Sequence, residues 1–429
     1  MMSGDIKKKL VYIILLIFVQ LAVYSSGNSE SLAILKQKKI NVLSIFTSKW
    51  MGGAEMCALT MHKLLHQASY KTYMLIYKDS PLQKYLQDDQ LPYYAMSSID
   101  KKNERELCIT RQINSICRKH KIQLVQCHTP AIAQLARSAT KGLHIKVVLM
   151  YHGVDAVDFL KFKKLDGLIT VNPSNESLIR EANDQLKLGI KKITQMYPFF
   201  NEERFLRFKP RQMDKQDFFK RHGFNILDKN TPILCMVANF YGKLKNPCGN
   251  YISRKNQELL IRALCALLYE RKKPAYLVFL GDGADRAWYE QLTKDLGVSE
   301  FVFFAGFCKE VEEFLYHTDI HVLTSVFEPL GIVYLEAGLM KKPSVGACGT
   351  GADHTIIDGT TGFTFKNNDL SDLTDKLDIL IDDSKLRMKM GQHAFEFVTG
   401  RASFNSNKRA FLSKRKFEKL TSFYASLMN

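Results

Sequence analysis

Phe327-Glu-Pro-Leu-Gly-Ile-Val-Tyr-Leu-Glu-Ala-Gly338 and, shortly after, Gly349-Thr-Gly-Ala-Asp-His-Thr-Ile-Ile-Asp-Gly-Thr-Thr-Gly362 decide the reading of this chain. The preceding Ile320-His-Val-Leu-Thr-Ser325 is a short apolar run that predicts a buried strand, and Val333 to Met340 holds helix formers with no breaker but Gly338. Glu328 therefore falls in a strand-to-helix turn and Glu336 further along the helix. Eight residues at 100° each leave the two side chains about 80° apart around the axis and up to roughly 12 Å apart along it. That span suits an extended ligand such as a nucleotide sugar, not a single atom. The amides of Leu330, Gly331 and Ile332 are expected to point from the helix start at an anion such as a diphosphate, with Gly331 permitting close backbone approach. A surface turn with an ordinary Glu in the field of the helix dipole explains Glu328 alone; it does not explain the rest of the run.

Working outward, strands are predicted at Ile40 to Phe46, Tyr73 to Tyr77, Leu124 to Cys127, Lys146 to Met150 and Gly167 to Val171. Helices are predicted at Met56 to His66, Glu104 to His120 and Ala131 to Thr140. Such alternation means a parallel sheet covered on both faces. A basic, aromatic stretch from Tyr197 to Asn230 shows no clean periodicity, and then Thr231 to Ala238 and Tyr276 to Leu280 read as buried strands, the second running into Gly281-Asp-Gly283. His128 and His152 each follow a predicted strand, where ligands collect in open α/β sheets. His128 is read as structural or solvated.

The motif Glu328-x7-Glu336, with the glycine-rich turn and Asp358-Gly-Thr-Thr-Gly362 behind it, resembles the retaining nucleotide-sugar glycosyltransferases of family 4. The resemblance implies the GT-B fold, two Rossmann-like parallel-sheet α/β domains facing a cleft. It implies that Glu336 binds the donor ribose and that Glu328 lies beside the donor sugar. Met51-Gly-Gly53-Ala-Glu55 resembles the family loop after the first strand, placing Gly53 on the cleft. Tyr151-His152-Gly153 resembles the family His-Gly motif, which would bring His152 to the donor sugar. Lys255 matches the family lysine that neutralises the diphosphate. Tyr241 stands where many members have the partner arginine, which leaves Lys243 or Arg254 to substitute. The insertion from Gly242 to Ser253 is expected to be a mobile loop over the phosphates. Gly281, Gly283 and the Phe301 to Val311 stretch with Phe307 resemble the nucleotide pocket, completed by Leu330 and Gly331.

The 429 residues suffice for two cores: a leader and linker at 1–34, an acceptor-binding domain at 35–200, and a donor-binding domain at 201–429 with a returning last helix. Lys+Arg 61 against Asp+Glu 43, a net charge of +18, favours anionic partners, among them phosphorylated ligands and a membrane surface. No nucleic-acid module accompanies that charge, so no nucleic-acid partner is expected. The nine cysteines form no Cys-x-x-Cys pair and read as reduced. No Asp-x-Asp occurs, so neither a metal clamp on the diphosphate nor a cofactor is expected. Lys7 to Lys9 precede an apolar run from Leu10 to Tyr24. As a helix it spans about 22 Å, short of a ~30 Å hydrocarbon core. Signal peptide, short anchor and interfacial segment all stay open; donor chemistry favours a membrane-associated enzyme on the cytoplasmic face, and export is the alternative. Asn407 to Leu427 is basic and amphipathic; the family resemblance implies a last helix that crosses back over the first domain, and contact with anionic headgroups is the rival use.

The expected reaction is transfer of a hexosyl unit to a hydroxyl of a glycan or lipid-linked acceptor. A same-fold epimerase and a catalytically silent sugar-binding scaffold are the alternatives.

Overall fold

The computed structural model describes residues 39–48, 51–96, 102–153, 159–240, 243–245, 251–403 and 411–428. The leader at 1–34, Tyr241, Gly242 and residues 246–250 lie outside them.

The first sheet is parallel and seven-stranded, in the order β3-β2-β1-β4-β5-β6-β7. Its strands are β1 (Val42–Phe46), β2 (Thr72–Tyr77), β3 (Tyr93–Met96), β4 (Leu124–Cys127), β5 (Lys146–Tyr151), β6 (Gly167–Thr170) and β7 (Lys192–Gln195). A hairpin of β9 (Lys243–Lys245) and β10 (Tyr251–Ser253) follows β8 (Ile233–Val237). The second sheet is parallel and six-stranded, in the order β12-β11-β8-β13-β14-β15. It adds β11 (Tyr276–Leu280), β12 (Val302–Gly306), β13 (Ile320–Leu323), β14 (Ser344–Ala347) and β15 (Gly362–Phe365) to β8. Two Rossmann-like domains are thus present. The insertion, expected as a mobile loop, carries a short hairpin instead, in which Tyr251 pairs with Lys245 and Ser253 with Lys243 in an antiparallel ladder.

Burial explains why the central strands were legible. Every residue of β1, β4 and β11 is buried, as a sheet with helices on both faces requires. Alternate residues go to opposite faces: Leu43, Val125 and Leu149 join one core, while Val42, Leu124, Val148 and Met150 join another. The helix Ser413–Met428 completes that second core with Leu420, Tyr424 and Leu427. Tyr424 Oη also donates to Gln126 Oε1 at 2.9 Å. The apolar side of the last helix is therefore committed to the first domain. Among the described residues no helix is long and apolar enough to cross a membrane.

The chain crosses between domains near residues 197–202 and again before Ser413, and the two crossings are pinned together. Ser413 N donates to Glu202 Oε1 at 2.6 Å and Lys416 Nζ to the Pro198 carbonyl at 2.7 Å. Lys416 is 2% exposed and also sits over the Phe200 ring at 4.7 Å.

In both sheets the strand order reverses once, between β1 and β4 and between β8 and β13. Loops leaving the two strands at such a point part in opposite directions, opening a crevice at their C-terminal ends. Those loops carry Gly53 and His128 in one domain, Lys255 and Glu328 in the other.

Candidate active site

After β13, Thr324 fastens its loop to the one after β8, its Oγ1 donating to the carbonyls of Lys255 at 3.1 Å and Asn256 at 2.8 Å. Val326 N donates to the Arg254 carbonyl at 3.0 Å, and Arg254 Nε to the Phe327 carbonyl at 3.2 Å. Asn256 takes a left-handed conformation, φ 50°, which asparagine tolerates better than most residues. It starts the helix Gln257–Tyr269 directly after Lys255. Lys255 Nζ then lies 2.5 Å from Glu328 Oε2, and Ser325 Oγ donates to the same oxygen at 3.3 Å. Glu328 is only 8% exposed. Burial pushes its carboxyl pKa up, but the Lys255 ammonium, the Arg254 charge and the Ser325 hydroxyl outweigh that and hold it below its ordinary value. The turn thus presents an ionised carboxylate with its cation already in place.

Glycines shape the rest of this wall. Gly331 has φ 76°, and a Cβ there would meet the Tyr334 ring at 2.5 Å. A Cβ on Gly351 would sit 2.3 Å from Leu330 Cα, and Gly351 N donates to the Glu328 carbonyl at 2.7 Å. The glycine-rich turn is therefore a backing plate for Glu328 and Leu330. Gly281 and Gly283 have a packing reason of the same kind, since their Cβ atoms would lie 2.0 Å from the Ala238 carbonyl oxygen and 2.4 Å from that of Phe240. Gly281 N donates to the Gly306 carbonyl at 2.8 Å, and Phe307, the next residue, is 56% exposed.

Glu336 lies on the helix Ile332–Leu339, half-buried, in the field of Arg204 and Glu312. Burial is the main cause that pushes its pKa up to about 7; Arg204 opposes and Glu312 adds to it. Arg204 itself is engaged, donating from Nε to Glu312 Oε2 at 2.6 Å.

The first domain supplies the facing wall. Gly53 stands where a Cβ would be 3.6 Å from Ile332 Cδ1, and Asn239 Nδ2 donates to the Met51 carbonyl at 3.2 Å. Beside His152, two contacts lead from Gly153 across the cleft toward the glycine-rich turn behind Glu328. Asn175 Nδ2 donates to the Gly153 carbonyl at 2.8 Å, and neighbouring Ser174 Oγ bonds His354 Nε2 at 3.0 Å, close to Gly351.

Of the two readings of His128, structural or solvated, its burial leaves the structural one. His128 is 4% exposed, its Nδ1 lies 3.0 Å from His152 Nε2, and the rings stack at 20° with centroids 5.3 Å apart. Burial lowers the pKa of His152 to about 4 and that of His128 well below its ordinary value, with each ring neutral. His128 Nε2 has no partner among the described residues. A buried N–H without an acceptor costs more than a bare lone pair, so the shared proton is assigned to His128 Nδ1, donated to His152. His152 then carries its own proton on Nδ1. The adjacent strand ends of β4 and β5 were the available signal for this pair.

Residues 51–183 match the family model described as Glycosyltransferase Family 4, and residues 248–397 the model of Glycosyl transferases group 1, one in each domain. The protein belongs to glycosyltransferase family 4. EpsD of Bacillus subtilis (strain 168) is 28% identical to this transferase over 343 residues, 76% of this chain and 82% of that one. The N-acetyl-alpha-D-glucosaminyl L-malate synthase of Bacillus anthracis is 25% identical over 304 residues, 68% and 74% of the two chains. In fold the family 4 chain is similar to Anabaena HepE, solved in complex with UDP and glucose. The TM-score is 0.71 at 17% identity, over 90% of this chain and 100% of that one. Among the transferase's described residues no group of three or more His, Cys, Asp or Glu is placed to hold a metal ion.

Proposed function

We propose that this glycosyltransferase moves a hexosyl unit from a nucleoside diphosphate sugar to a hydroxyl of a glycan or lipid-linked acceptor, with retention of configuration. The observation that carries the reading is the Lys255–Glu328 pair at 2.5 Å at the switch point of one domain, facing the His152–Gly153 strand end of the other, with Asn175 on Gly153 and Ser174 on His354 bridging the cleft between them. Glu336 accepts from the ribose hydroxyls. Lys255, Arg254 and the amides at Leu330 and Gly331 meet the diphosphate, drawing off charge as the glycosidic C–O bond breaks. A leaving phosphate oxygen takes the acceptor hydroxyl proton on the face from which the new bond forms, so no protein nucleophile is used. Glu328 lies beside the sugar and stabilises its developing positive charge. His152, neutral with its proton on Nδ1, donates to a sugar oxygen. With no Asp-x-Asp in the chain, transfer is proposed to run without a divalent metal, and the enzyme to work at a membrane on the cytoplasmic face.

The test incubates the purified chain with a panel of nucleoside diphosphate sugars and hydroxyl acceptors, reading nucleotide release and the anomeric configuration of the product by NMR. Retained configuration, with activity that survives EDTA, is expected. Inverted product overturns the mechanism, and activity lost to EDTA and restored by Mn²⁺ overturns metal independence.

A further inference from the structure

A core histidine with a plain structural task shows by contrast what His128 does. His62 is buried and both of its nitrogens are engaged, Nδ1 with Thr72 Oγ1 at 2.9 Å and Nε2 with the Pro92 carbonyl at 3.1 Å. That ring ties its helix to the starts of β2 and β3. The His128 side chain makes one hydrogen bond among the described residues, and it goes to the imidazole of His152 at 3.0 Å. Unpartnered Nε2 atoms also occur in His317 and His321, so the bare nitrogen marks no site by itself. What sets His128 apart is the ring it meets.

Both rings are held from the backbone. His128 is the single residue between Cys127, which pairs with Leu149 of β5, and Thr129, whose Oγ1 accepts from Ile132 N at 3.4 Å to cap the helix Pro130–Ala139. Phe46, at the end of β1, packs on it with ring centroids 5.2 Å apart. His152 follows β5, where Val171 N donates to the Tyr151 carbonyl at 3.2 Å and Asn175 Nδ2 fixes the Gly153 carbonyl at 2.8 Å.

The bond between the rings has a chemical consequence. A neutral imidazole has one N–H and one lone pair, and the hydrogen bond made by one nitrogen decides which of them the other offers. With its Nε2 bare, His128 carries its proton on Nδ1 and donates it to His152 Nε2. His152 then holds its own proton on Nδ1. Its ring is half-buried, and Nδ1 is the nitrogen left for a ligand in the cleft. A fixed N–H pairs with any lone pair, whether of a hydroxyl, a ring oxygen or fluorine, and refuses an ammonium group; a bare nitrogen does the reverse.

We propose that His128 is a positioning residue that locks His152 as a hydrogen-bond donor, and that the sugar atom over His152 is accordingly one that accepts. The inference rests on the reading of His152 as a contact to the donor sugar. It adds a rule of selection: oxygen at that position is taken and a charged amino group refused.

The full chain with ¹⁵N-labelled histidine tests this first without ligand. In the wild type His152 should show a protonated Nδ1 and a bare Nε2. With His128→Phe the proton should move to Nε2, the tautomer that a free side chain favours. His128→Asn, whose amide N–H stands in the place of the lost Nδ1–H, should restore the wild-type form. Calorimetry then follows binding of the nucleoside diphosphate sugar and of its monodeoxy and monodeoxyfluoro analogues; acceptor is left out, because fluorine slows transfer by itself. His128→Phe should leave affinity for the nucleoside diphosphate alone unchanged and lower that for the sugar form about tenfold, as loss of one buried hydrogen bond does. His128→Asn should keep it. At the position where His152→Ala makes the parent and monodeoxy sugars bind equally, fluorine should bind better than hydrogen in the wild type and worse in His128→Phe. A His152 proton found on Nε2 in the wild type overturns the proposal. So does a tautomer that His128→Phe leaves unchanged, or an asparagine variant as impaired as the phenylalanine one. If the wild type binds no nucleoside diphosphate sugar, the proposed function fails, and the ligand-free tautomer still decides the role of His128.

Discussion

Glu328 and Glu336 share a motif but titrate in opposite senses. Glu336 has its folded pKa raised from 4.5 to about 7, so its contribution to stability is complete below about 4.5 and is lost as pH rises through about 7. Glu328 has its folded value lowered; its contribution is present above the ordinary carboxylate value and is lost as pH falls through the folded one. Since ribose hydroxyls need an ionised acceptor, donor affinity should rise about tenfold between pH 6 and 8. Calorimetry with a nucleoside diphosphate sugar checks this, and Glu336→Gln should flatten the dependence and weaken binding roughly tenfold to a hundredfold. Lys255→Met should lower the melting temperature by leaving the Glu328 carboxylate unpaired. The double variant Lys255→Met with Glu328→Gln should regain most of the stability but no activity, and thermal melts beside initial rates separate the two roles. The carboxylates were readable because a motif of fixed spacing carries them. His128 was not, because its meaning lies in a ring 24 residues away that a neighbouring strand delivers.

Among the elements, the turns at the C-terminal strand ends are held by backbone fit. Gly351→Ala, with its Cβ 2.3 Å from Leu330 Cα, should displace the Glu328 turn and lower kcat/KM at least tenfold. Gly349, unlike Gly351, has a left-handed φ, 73°, and nothing lies within 4 Å of its Cβ position. Gly349→Ala should therefore cost only about 1 kcal/mol of backbone strain and spare kcat/KM. Melting curves and steady-state rates of the two variants make the comparison. The sequence revealed strands where burial on both faces writes a continuous apolar run, as in β1 and β11. It hid β3 and β7, edge strands whose residues are mostly half-exposed, and the β9–β10 hairpin, whose three-residue strands are too short to show a period.

For the whole molecule, the alternation of strands and helices indicated a parallel sheet and the family resemblance added the second domain and the cleft, while neither gave the contacts that set the relative position of the domains. Ser174 and His354 are 180 residues apart and touch across the cleft at 3.0 Å. Replacing both by cysteine and bridging the two thiols with a short bifunctional cross-linker, which spans the reach of the lost imidazole as a disulfide would not, should block turnover, with mass spectrometry confirming the link and rates reporting the effect. The last helix has one more consequence, in the timing of synthesis. Ile40, Val42, Met61, Leu124, Met150 and Ile169 share their core with Leu420, Tyr424 and Leu427. A ribosome adding about 5–20 residues per second reaches those three roughly 10–50 s after it has finished β7. Throughout that interval the first domain stands with one side of its sheet open to water, so the part of the chain made first is among the last to be finished.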